Sequence, residues 1–314
     1  MTEASSYQRL REHLAYLGMS SAAEMLAPEL DRALSEQSSP SQVLERLLEI
    51  EVEATRARKQ RGRLRFARYP VHRTLADFDF DFQPSLDRKQ IAELSTLRFL
   101  EEHRNVILLG PPGVGKTHLA IGLGVAASNA GYRTLFTSAV DMVHTLQAAQ
   151  LEGTAPYKLR AYLGPSVLII DELGYLPLDG ASANWIFQVV SRRYDKGSII
   201  LTGNRGFGDW TQVFADPVVA GAIIDRLLHR ASVINIKGAS YRMRAYHEQE
   251  RLEGGAIVRQ PAPWPSALFV SFALHFSCPS TGGVVSRSIV ATVEDLRLSM
   301  GLPPDGVLGS GNRP

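Results

Sequence analysis

The sequence predicts an α/β fold, in which a parallel sheet is flanked by helices and preceded by a small all-helical N-terminal domain. Three observations lead to this prediction. Short apolar runs alternate with helical stretches between residues 90 and 250, and the first 60 residues show helical periodicity. The chain of 314 residues is 45% hydrophobic, which suffices for a sizeable core. Its single cysteine, Cys278, excludes a disulfide framework and a cysteine-based zinc finger.

The N-terminal helices are predicted from the spacing of apolar residues and from one capping motif. Leu10, Leu14 and Leu17 recur at helical spacing, and Gly18 is suited to end that helix. The run Ser-Pro-Ser-Gln at 39–42 has the composition of a capping box with proline at the first helical position, so an amphipathic helix is predicted to begin there. One interpretation of this pattern is a helical bundle without chemistry of its own, and the other is a domain that binds DNA or a partner.

A basic segment follows, because residues 54–76 contain eight cations and no acidic residue. Uncompensated positive charges repel one another and are stabilised by phosphates, and Phe66 and Tyr69 add rings that can pack or stack. The competing interpretation is a solvated charged face. The net charge of the chain is only +2, because acidic residues elsewhere balance the cations of this segment. The residues predicted to bind DNA are Arg56, Arg58, Lys59, Arg61, Arg63, Arg65, Arg68 and Arg73.

The composition divides the chain into four parts. Residues 1–60 are expected to form a helical domain that binds DNA or a partner, and residues 61–84 a basic connector. Residues 85–250 form the predicted α/β domain. Residues 251–314, which are rich in proline, glycine and serine, are expected to be a disordered tail without an assigned function.

No targeting or membrane segment is apparent in the sequence. Residues 1–17 lack the apolar core of a signal peptide, and the apolar stretch at 267–278 is too short to span a membrane. We therefore expect a soluble, cytoplasmic protein without a membrane partner.

The α/β domain is predicted from its alternation of strands and helices. The predicted helices include 116–129 and 185–194. The predicted strands are residues 105–109, 134–137, 167–170, 199–202 and 233–236.

A complete phosphate-loop pattern, G-x-x-x-x-G-K-[ST], occupies residues 110–117. It lies between a predicted strand and a predicted helix, which is the context that the motif requires. Backbone N–H groups of such a loop surround the β-phosphate, Lys116 reaches the β- and γ-phosphates, and the Thr117 hydroxyl ligates Mg²⁺. ATP and Mg²⁺ are thus the predicted cofactors. Nucleotide binding is assigned to Gly110, Pro111, Pro112, Gly113, Val114, Gly115, Lys116, Thr117 and His118.

Polar side chains end the next two buried strands, at the edge where open α/β sheets bind ligands. Asp171 is predicted to hold Mg²⁺, and Glu172 to act as general base toward the attacking water. Asn204 is predicted to contact the γ-phosphate or that water, although an asparagine at a strand end also serves to satisfy a turn.

Two arginines on the helix before the last strand are candidates for an arginine finger. Such a residue reaches the nucleotide of a neighbouring subunit and stabilises charge in the transition state. Arg226 is assigned this role, with Arg230 as the other candidate. The competing interpretation for both is an ordinary ion pair on a helix surface.

Several strings of the sequence resemble the IstB-like ATPases, transposition helpers of bacterial insertion sequences that are related to the helicase loader DnaC within the AAA+ class. The resemblance covers roughly residues 5 to 250. Gly203 stands where the family commonly has serine. The strings are the phosphate loop and residues 171–176, 202–204, 214–216, 225–229 and 238–242.

The resemblance implies an AAA+ phosphate-loop NTPase that oligomerises on duplex DNA, hydrolyses ATP and delivers the target DNA to a transposase. It also implies that Asn204 is a sensor, that Arg226 is the finger between subunits and that Arg242 is a second sensor at the nucleotide. A DnaC-like replicative helicase loader is the alternative with the same chemistry.

Two other classes of protein fit the sequence less well. A small-molecule kinase needs an arginine-rich lid over its acceptor, whereas the basic run precedes the phosphate loop here and adjoins helices. A switch that binds ATP without hydrolysing it does not need both Asp171 and Glu172.

Overall fold

The computed structural model of the chain describes residues 3–175, 178–214 and 216–244. The predicted tail, residues 251–314, lies outside the described residues. The N-terminal part contains three helices, which confirms the all-helical prediction: α1 (Glu3–Tyr16), α2 (Ser20–Glu36) and α3 (Pro40–Ala67).

Helix α3 begins at the predicted capping box. The Ser39 hydroxyl accepts a hydrogen bond from the Gln42 backbone N–H, and the Gln42 side chain accepts one from the Ser39 N–H at 2.8 Å. Two donors that a helix start leaves unpaired are satisfied in this way. The three helices then pack around a small apolar core formed by Ala22, Leu26 and Leu47.

A carboxylate of α3 caps the start of α2. Met19, at the N-cap of α2, offers no side-chain hydrogen bond, and Glu51 Oε2 instead accepts from the backbone N–H groups of Ser21 at 2.8 Å and Ala22 at 3.1 Å. The other oxygen pairs with Arg58 at 2.6 Å. These hydrogen bonds, led by that of Ala22, lower the pKa of the Glu51 carboxyl.

Helix α3 continues past residue 60 and docks on the α/β domain. Gln60 Nε2 donates to Asn129 Oδ1 at 2.8 Å, and Arg63 Nε donates to the Ser128 carbonyl oxygen at 2.8 Å. Since α3 ends at Ala67, the first seven residues of the predicted connector, 61–67, are helical. The predicted division of the chain at residue 60 stays a prediction.

The α/β domain contains one five-stranded sheet, and all of its described strand pairs are parallel, as predicted. Its strand order is β2-β3-β4-β1-β5. Each strand begins and ends within three residues of its predicted bounds: β1 (Asn105–Leu109), β2 (Thr134–Ser138), β3 (Val167–Leu173), β4 (Ser198–Gly203) and β5 (Ala231–Asn235).

Helices cover both faces of the sheet. Alternate residues of a strand point to opposite faces, and the strands here are apolar on both, so each face has to be covered. Ile107 and Leu109 belong to one apolar cluster, whereas Val106 and Leu108 belong to the other. The second face is covered by α4 (Arg88–Ser95), α5 (Arg98–Glu101) and α6 (Lys116–Asn129). The first is covered by α7 (Ala139–Leu151), α8 (Ala155–Leu163), α9 (Gly180–Arg193), α10 (Trp210–Val213) and α11 (Pro217–Leu228).

Two of these helices correspond to predicted ones. Helix α6 has the predicted bounds. Helix α9 begins earlier than predicted, because Asp179 accepts a hydrogen bond from the Ser182 N–H at 2.8 Å and caps the helix there. Among the helices of the described residues, none combines the length and the apolar character that a membrane span requires.

A buried arginine joins the ends of several elements. Arg193, at the end of α9, is 2% exposed, and burial lowers its pKa to about 10. It pairs with no carboxylate of the described residues. Its guanidinium donates instead to backbone carbonyl oxygens of Tyr162, Leu163, Pro165, Ser166 and Ser198.

Candidate nucleotide-binding site

The phosphate loop connects β1 to α6 and depends on glycine at close contacts. Gly113 and Gly115 have φ angles of 82° and 96°, in the left-handed region that favours glycine. A Cβ atom on Gly115 would lie 2.5 Å from the Phe78 ring. The Gly113 carbonyl accepts a hydrogen bond from the Tyr241 N–H at 2.9 Å. The loop is therefore packed between the segment before α4 and the segment after β5.

Lys116 is the first residue of α6 and folds back on the loop. Its Nζ donates to the carbonyl oxygens of Gly110 and Pro111, both at 2.7 Å. Burial lowers the pKa of Lys116, and the Asp171 carboxylate partly opposes this shift. The ammonium group thus lies at the mouth of the loop, where phosphate oxygens bind in proteins with this motif.

The Asp171 carboxylate is held by two threonine hydroxyls. Thr117 Oγ1 donates to Asp171 Oδ1 at 2.9 Å, and Thr202 Oγ1 donates to the same oxygen at 2.5 Å. Mg²⁺ prefers oxygen ligands and is usually held by one or two carboxylates together with substrate phosphates. The described residues contain no cluster of three histidine, cysteine, aspartate or glutamate side chains that would hold a metal without a phosphate. Thr117 and Asp171 therefore fit a Mg²⁺ that arrives with a nucleotide.

A β-bulge brings the two consecutive carboxylates of β3 to one site. The pairing with β4 shifts register between Ile170 and Leu173, so that Asp171 and Glu172 lie opposite a single residue, Thr202. In a regular strand, neighbouring side chains would point to opposite faces. Glu172 instead has a φ angle of 61°, a conformation that costs about 1–3 kcal/mol for a residue other than glycine. Its side chain lines the cavity beside the phosphate loop.

The phosphate loop borders a cavity of about 580 Å³. Asn204 lies in its wall, and Asn204 Oδ1 is buried without a hydrogen-bond partner among the described residues. A turn-forming role for this oxygen therefore finds no support. Arg242, the predicted second sensor, also lines the cavity. Several lining residues come from the segment before α4 and were not predicted to bind nucleotide: Val71, Arg73, Asp77, Phe78, Asp79 and Gln83.

His118 connects this segment to the phosphate loop. Its Nε2 lies 2.9 Å from the Thr74 carbonyl oxygen, and its ring contacts the edge of Phe78 at 5.2 Å between centroids. The one sequence pattern that marks this segment is the alternation of phenylalanine and aspartate at 78–82, and this pattern does not by itself indicate a nucleotide site. Arg73, which was predicted to bind DNA, also lies at the cavity.

Comparison with known proteins identifies the family. A model of the family described as IstB-like ATP binding protein matches residues 12–249. The chain belongs to this family. Membership confirms the resemblance to the IstB-like ATPases, and it agrees with the ATP predicted from the phosphate loop.

Named relatives of this IstB-like protein come from bacterial insertion sequences. The insertion sequence IS5376 putative ATP-binding protein of Geobacillus stearothermophilus is 44% identical over 77% of this chain and 97% of its own length. The insertion sequence IS21 putative ATP-binding protein of Pseudomonas aeruginosa is 49% identical over 66% of this chain and 77% of its own. Among solved structures, AMPPCP-bound DnaA from Aquifex aeolicus superposes on this chain with a TM-score of 0.46. The two are 20% identical, and the match covers 59% of this chain and 56% of that one.

The two candidate finger arginines of the IstB-like protein differ in their contacts. The Arg226 guanidinium lies over the Phe187 ring, 5.0 Å from its centroid, and donates to the Ala222 carbonyl oxygen at 3.0 Å. Arg230 was predicted to lie on the same helix as Arg226 but stands two residues beyond the end of α11, and it pairs with Asp195 at 3.5 Å. Neither lines the phosphate-loop cavity of its own chain. Arg230 therefore forms the ordinary ion pair that was the competing interpretation for both arginines. Arg226 forms none with a carboxylate of the described residues.

The predicted DNA-binding residues separate into two groups. Arg58 pairs with Glu51 of the same helix, whereas Arg63 donates to the Ser128 carbonyl and holds α3 against α6. A second group is exposed and forms no ion pair with a carboxylate of the described residues: Arg56, Lys59, Arg61, Arg65 and Arg68. The Arg63 contact comes from a distant part of the chain, so the sequence alone does not reveal it, whereas Arg58 pairs with a residue seven positions earlier in α3.

Proposed function

We propose that this IstB-like protein is a Mg²⁺-dependent ATPase that oligomerises on duplex DNA in the cytoplasm and delivers this target DNA to a transposase. The observation that carries the proposal is the position of Glu172, which faces the phosphate-loop cavity directly beside Asp171. A protein that only binds ATP has no need for this second carboxylate. The names of the relatives, ATP-binding proteins of insertion sequences, support the same function.

In this mechanism the loop holds the nucleotide before any bond breaks. Lys116 exchanges the two loop carbonyls for the β- and γ-phosphates, and the loop N–H groups surround the β-phosphate. Thr117 and Asp171 would hold Mg²⁺, which would neutralise charge on the phosphate oxygens. The cavity wall formed by the segment before α4 accommodates the rest of the nucleotide.

Glu172 then acts as the general base. Its carboxylate accepts a proton from the water that attacks the γ-phosphate, and the products are ADP and phosphate. Asn204, in the wall of the same cavity, orients that water or the γ-phosphate through its side-chain amide. Both groups lie at the ends of neighbouring strands, β3 and β4, so the sheet sets their separation.

Assembly completes the site. Because Arg226 lies away from the cavity of its own chain and forms no ion pair with a described carboxylate, it is available to a neighbouring subunit. Its stacking on Phe187 restrains the guanidinium in advance of assembly. In the proposed oligomer it contacts the nucleotide of the next subunit, so hydrolysis depends on assembly.

The exposed cations of α3 form the proposed DNA surface. Arg61 and Arg65 lie four residues apart and thus on one face of the helix, and Arg68 follows at its C-cap. Contacts of such residues with phosphates bind duplex DNA without reading bases. Arg73 is assigned to the nucleotide rather than to DNA, because it lines the phosphate-loop cavity.

The experiment that tests this function measures ATP hydrolysis with and without duplex DNA, together with electron microscopy in a non-hydrolysable ATP analogue. We expect DNA to stimulate hydrolysis and regular oligomers to form on it. A small-molecule kinase would not respond to duplex DNA. A monodisperse monomer that neither ligand changes would contradict the proposal, and capture of a replicative helicase rather than a transposase would favour the helicase-loader alternative.

A further inference from the structure

One threonine hydroxyl connects the Asp171 carboxylate to the backbone of Glu172. Thr202 is the residue of β4 that stands opposite the bulge of β3, and it is 1% exposed. Its Oγ1 lies 2.5 Å from Asp171 Oδ1 and 2.9 Å from the Glu172 backbone nitrogen. None of the roles assigned above to nucleotide, metal or water includes this side chain.

The direction of both hydrogen bonds follows from the groups involved. An ionised carboxylate only accepts, so the single hydroxyl hydrogen of Thr202 is donated to Asp171. The lone pairs of the same oxygen then accept the Glu172 N–H. The bulge removes this partly buried N–H from the regular ladder, and a donor shielded from water without a partner costs free energy. The hydroxyl therefore satisfies the bulge and orients the carboxylate at once.

We propose that Thr202 is a positioning residue that sets both the Mg²⁺-binding carboxylate of Asp171 and the backbone of the general base, Glu172. This inference rests on the proposed ATPase function. Without the hydroxyl, Thr117 would be the remaining side chain of the described residues that donates to the Asp171 carboxylate. Glu172 would lose the hydrogen bond that supports its left-handed backbone.

The two consequences are separable in experiment. Loss of the Asp171 contact is expected to raise the Mg²⁺ concentration needed for half-maximal tightening of nucleotide binding by about 10-fold, since partners of metal ligands typically contribute 10–100-fold. Loss of the Glu172 contact is expected to lower kcat by about 10–100-fold at saturating Mg²⁺, with little change in KM. Thr202 borders the phosphate-loop cavity, but within the described residues its side-chain hydrogen bonds go to Asp171 and Glu172 rather than to residues 110–117. Nucleotide affinity in EDTA is therefore expected to stay unchanged.

The test compares Thr202→Val, which replaces the hydroxyl with a methyl group, with Thr202→Ser, which keeps it. Ser198→Ala is the matched control, because it removes a buried hydroxyl at the other end of β4, where Ser198 Oγ donates to the Phe99 carbonyl. Binding of a fluorescent ATP analogue is measured in EDTA and across a Mg²⁺ titration, and steady-state hydrolysis is measured with duplex DNA. Thr202→Ala repeats the test should the valine variant fail to fold.

We expect Thr202→Val to shift the Mg²⁺ titration and kcat, while Thr202→Ser and Ser198→Ala behave like the unmodified chain. The inference is overturned if Thr202→Ser is as impaired as Thr202→Val, because packing of the methyl group would then explain the effect. It is also overturned if Thr202→Val keeps both the original Mg²⁺ requirement and the original kcat. Absence of hydrolysis in the unmodified chain would contradict the ATPase proposal, whereas the Mg²⁺ titration would still test Thr202.

Discussion

Glu172 carries the hydrolytic step of the proposed mechanism, and its replacement separates binding from turnover. Glu172→Gln keeps the shape of the side chain but cannot accept the proton, so we expect ATP binding to persist while kcat falls by roughly 10²–10⁴-fold. Lys116→Ala is the comparator, since it removes the ammonium group at the loop and is expected to abolish binding itself. Analogue binding and phosphate release measure the two effects. Hydrolysis by Glu172→Gln at the original rate would contradict the assignment of the base.

The residues of this site differ in how far the sequence predicts them. Lys116 and Thr117 follow from a motif whose geometry is local, because loop and helix start lie within eight consecutive residues. Thr202 does not follow from any local pattern. Its role depends on the register between β3 and β4, and the bulge that creates this register forms only when the two strands pair. Phe78 reaches the loop through a tertiary contact of the same kind.

At the scale of elements, the cap that Glu51 provides for α2 predicts a pH-dependent contribution to stability. The folded state lowers the pKa of this carboxyl, so its contribution is fully present above the unfolded value and is lost as the pH falls through the lowered folded value. We therefore expect Glu51→Gln to lower the thermal midpoint at neutral pH. The difference from the unmodified chain should shrink in acid.

The control for this prediction is Glu49→Gln, which neutralises an exposed carboxylate on the same helix. Thermal unfolding followed by circular dichroism between pH 3 and pH 7 measures both variants, a range chosen around the ordinary glutamate pKa of about 4.3. An equal loss in the two variants, or a difference that does not depend on pH, would show that Glu51 does not cap α2 through its charge.

Element boundaries follow from the sequence where a local signal marks them. Ser39 and Gln42 predict the start of α3, and the structure has the predicted capping box at this point. The end of the helix carries no comparable signal. Helix α3 runs on to Ala67 because its later turns are held against α6 by Gln60 and Arg63. Contacts between distant segments thus extend a helix that composition alone divides at residue 60.

At the scale of the whole molecule, the exposed cations of α3 predict the salt dependence of DNA binding. Replacing Arg61, Arg65 and Arg68 together by alanine should weaken binding for every duplex sequence and reduce the slope of log K against log salt by about 3. Fluorescence anisotropy with two unrelated duplexes over a salt series measures both effects. The matched control removes three exposed cations elsewhere: Arg98, Arg192 and Lys196. An identical change of slope in the control would mean that net charge, rather than this surface, attracts DNA.

Assembly predicts that two inactive variants restore each other. Arg226→Ala keeps its own Glu172 but lacks a finger, whereas Glu172→Gln keeps Arg226 but lacks the base. In a randomly assembled mixture of equal amounts of the two variants, about a quarter of interfaces combine an intact base with an intact finger from the neighbour. We expect DNA-stimulated hydrolysis in the mixture to reach about a quarter of the original rate, well above either variant alone.

Phosphate release at fixed total protein measures this restored hydrolysis. Arg230→Ala is the control, because Arg230 already pairs with Asp195. A mixture no more active than its components would place Arg226 outside the neighbouring site, and full activity of Arg226→Ala alone would remove it from the mechanism.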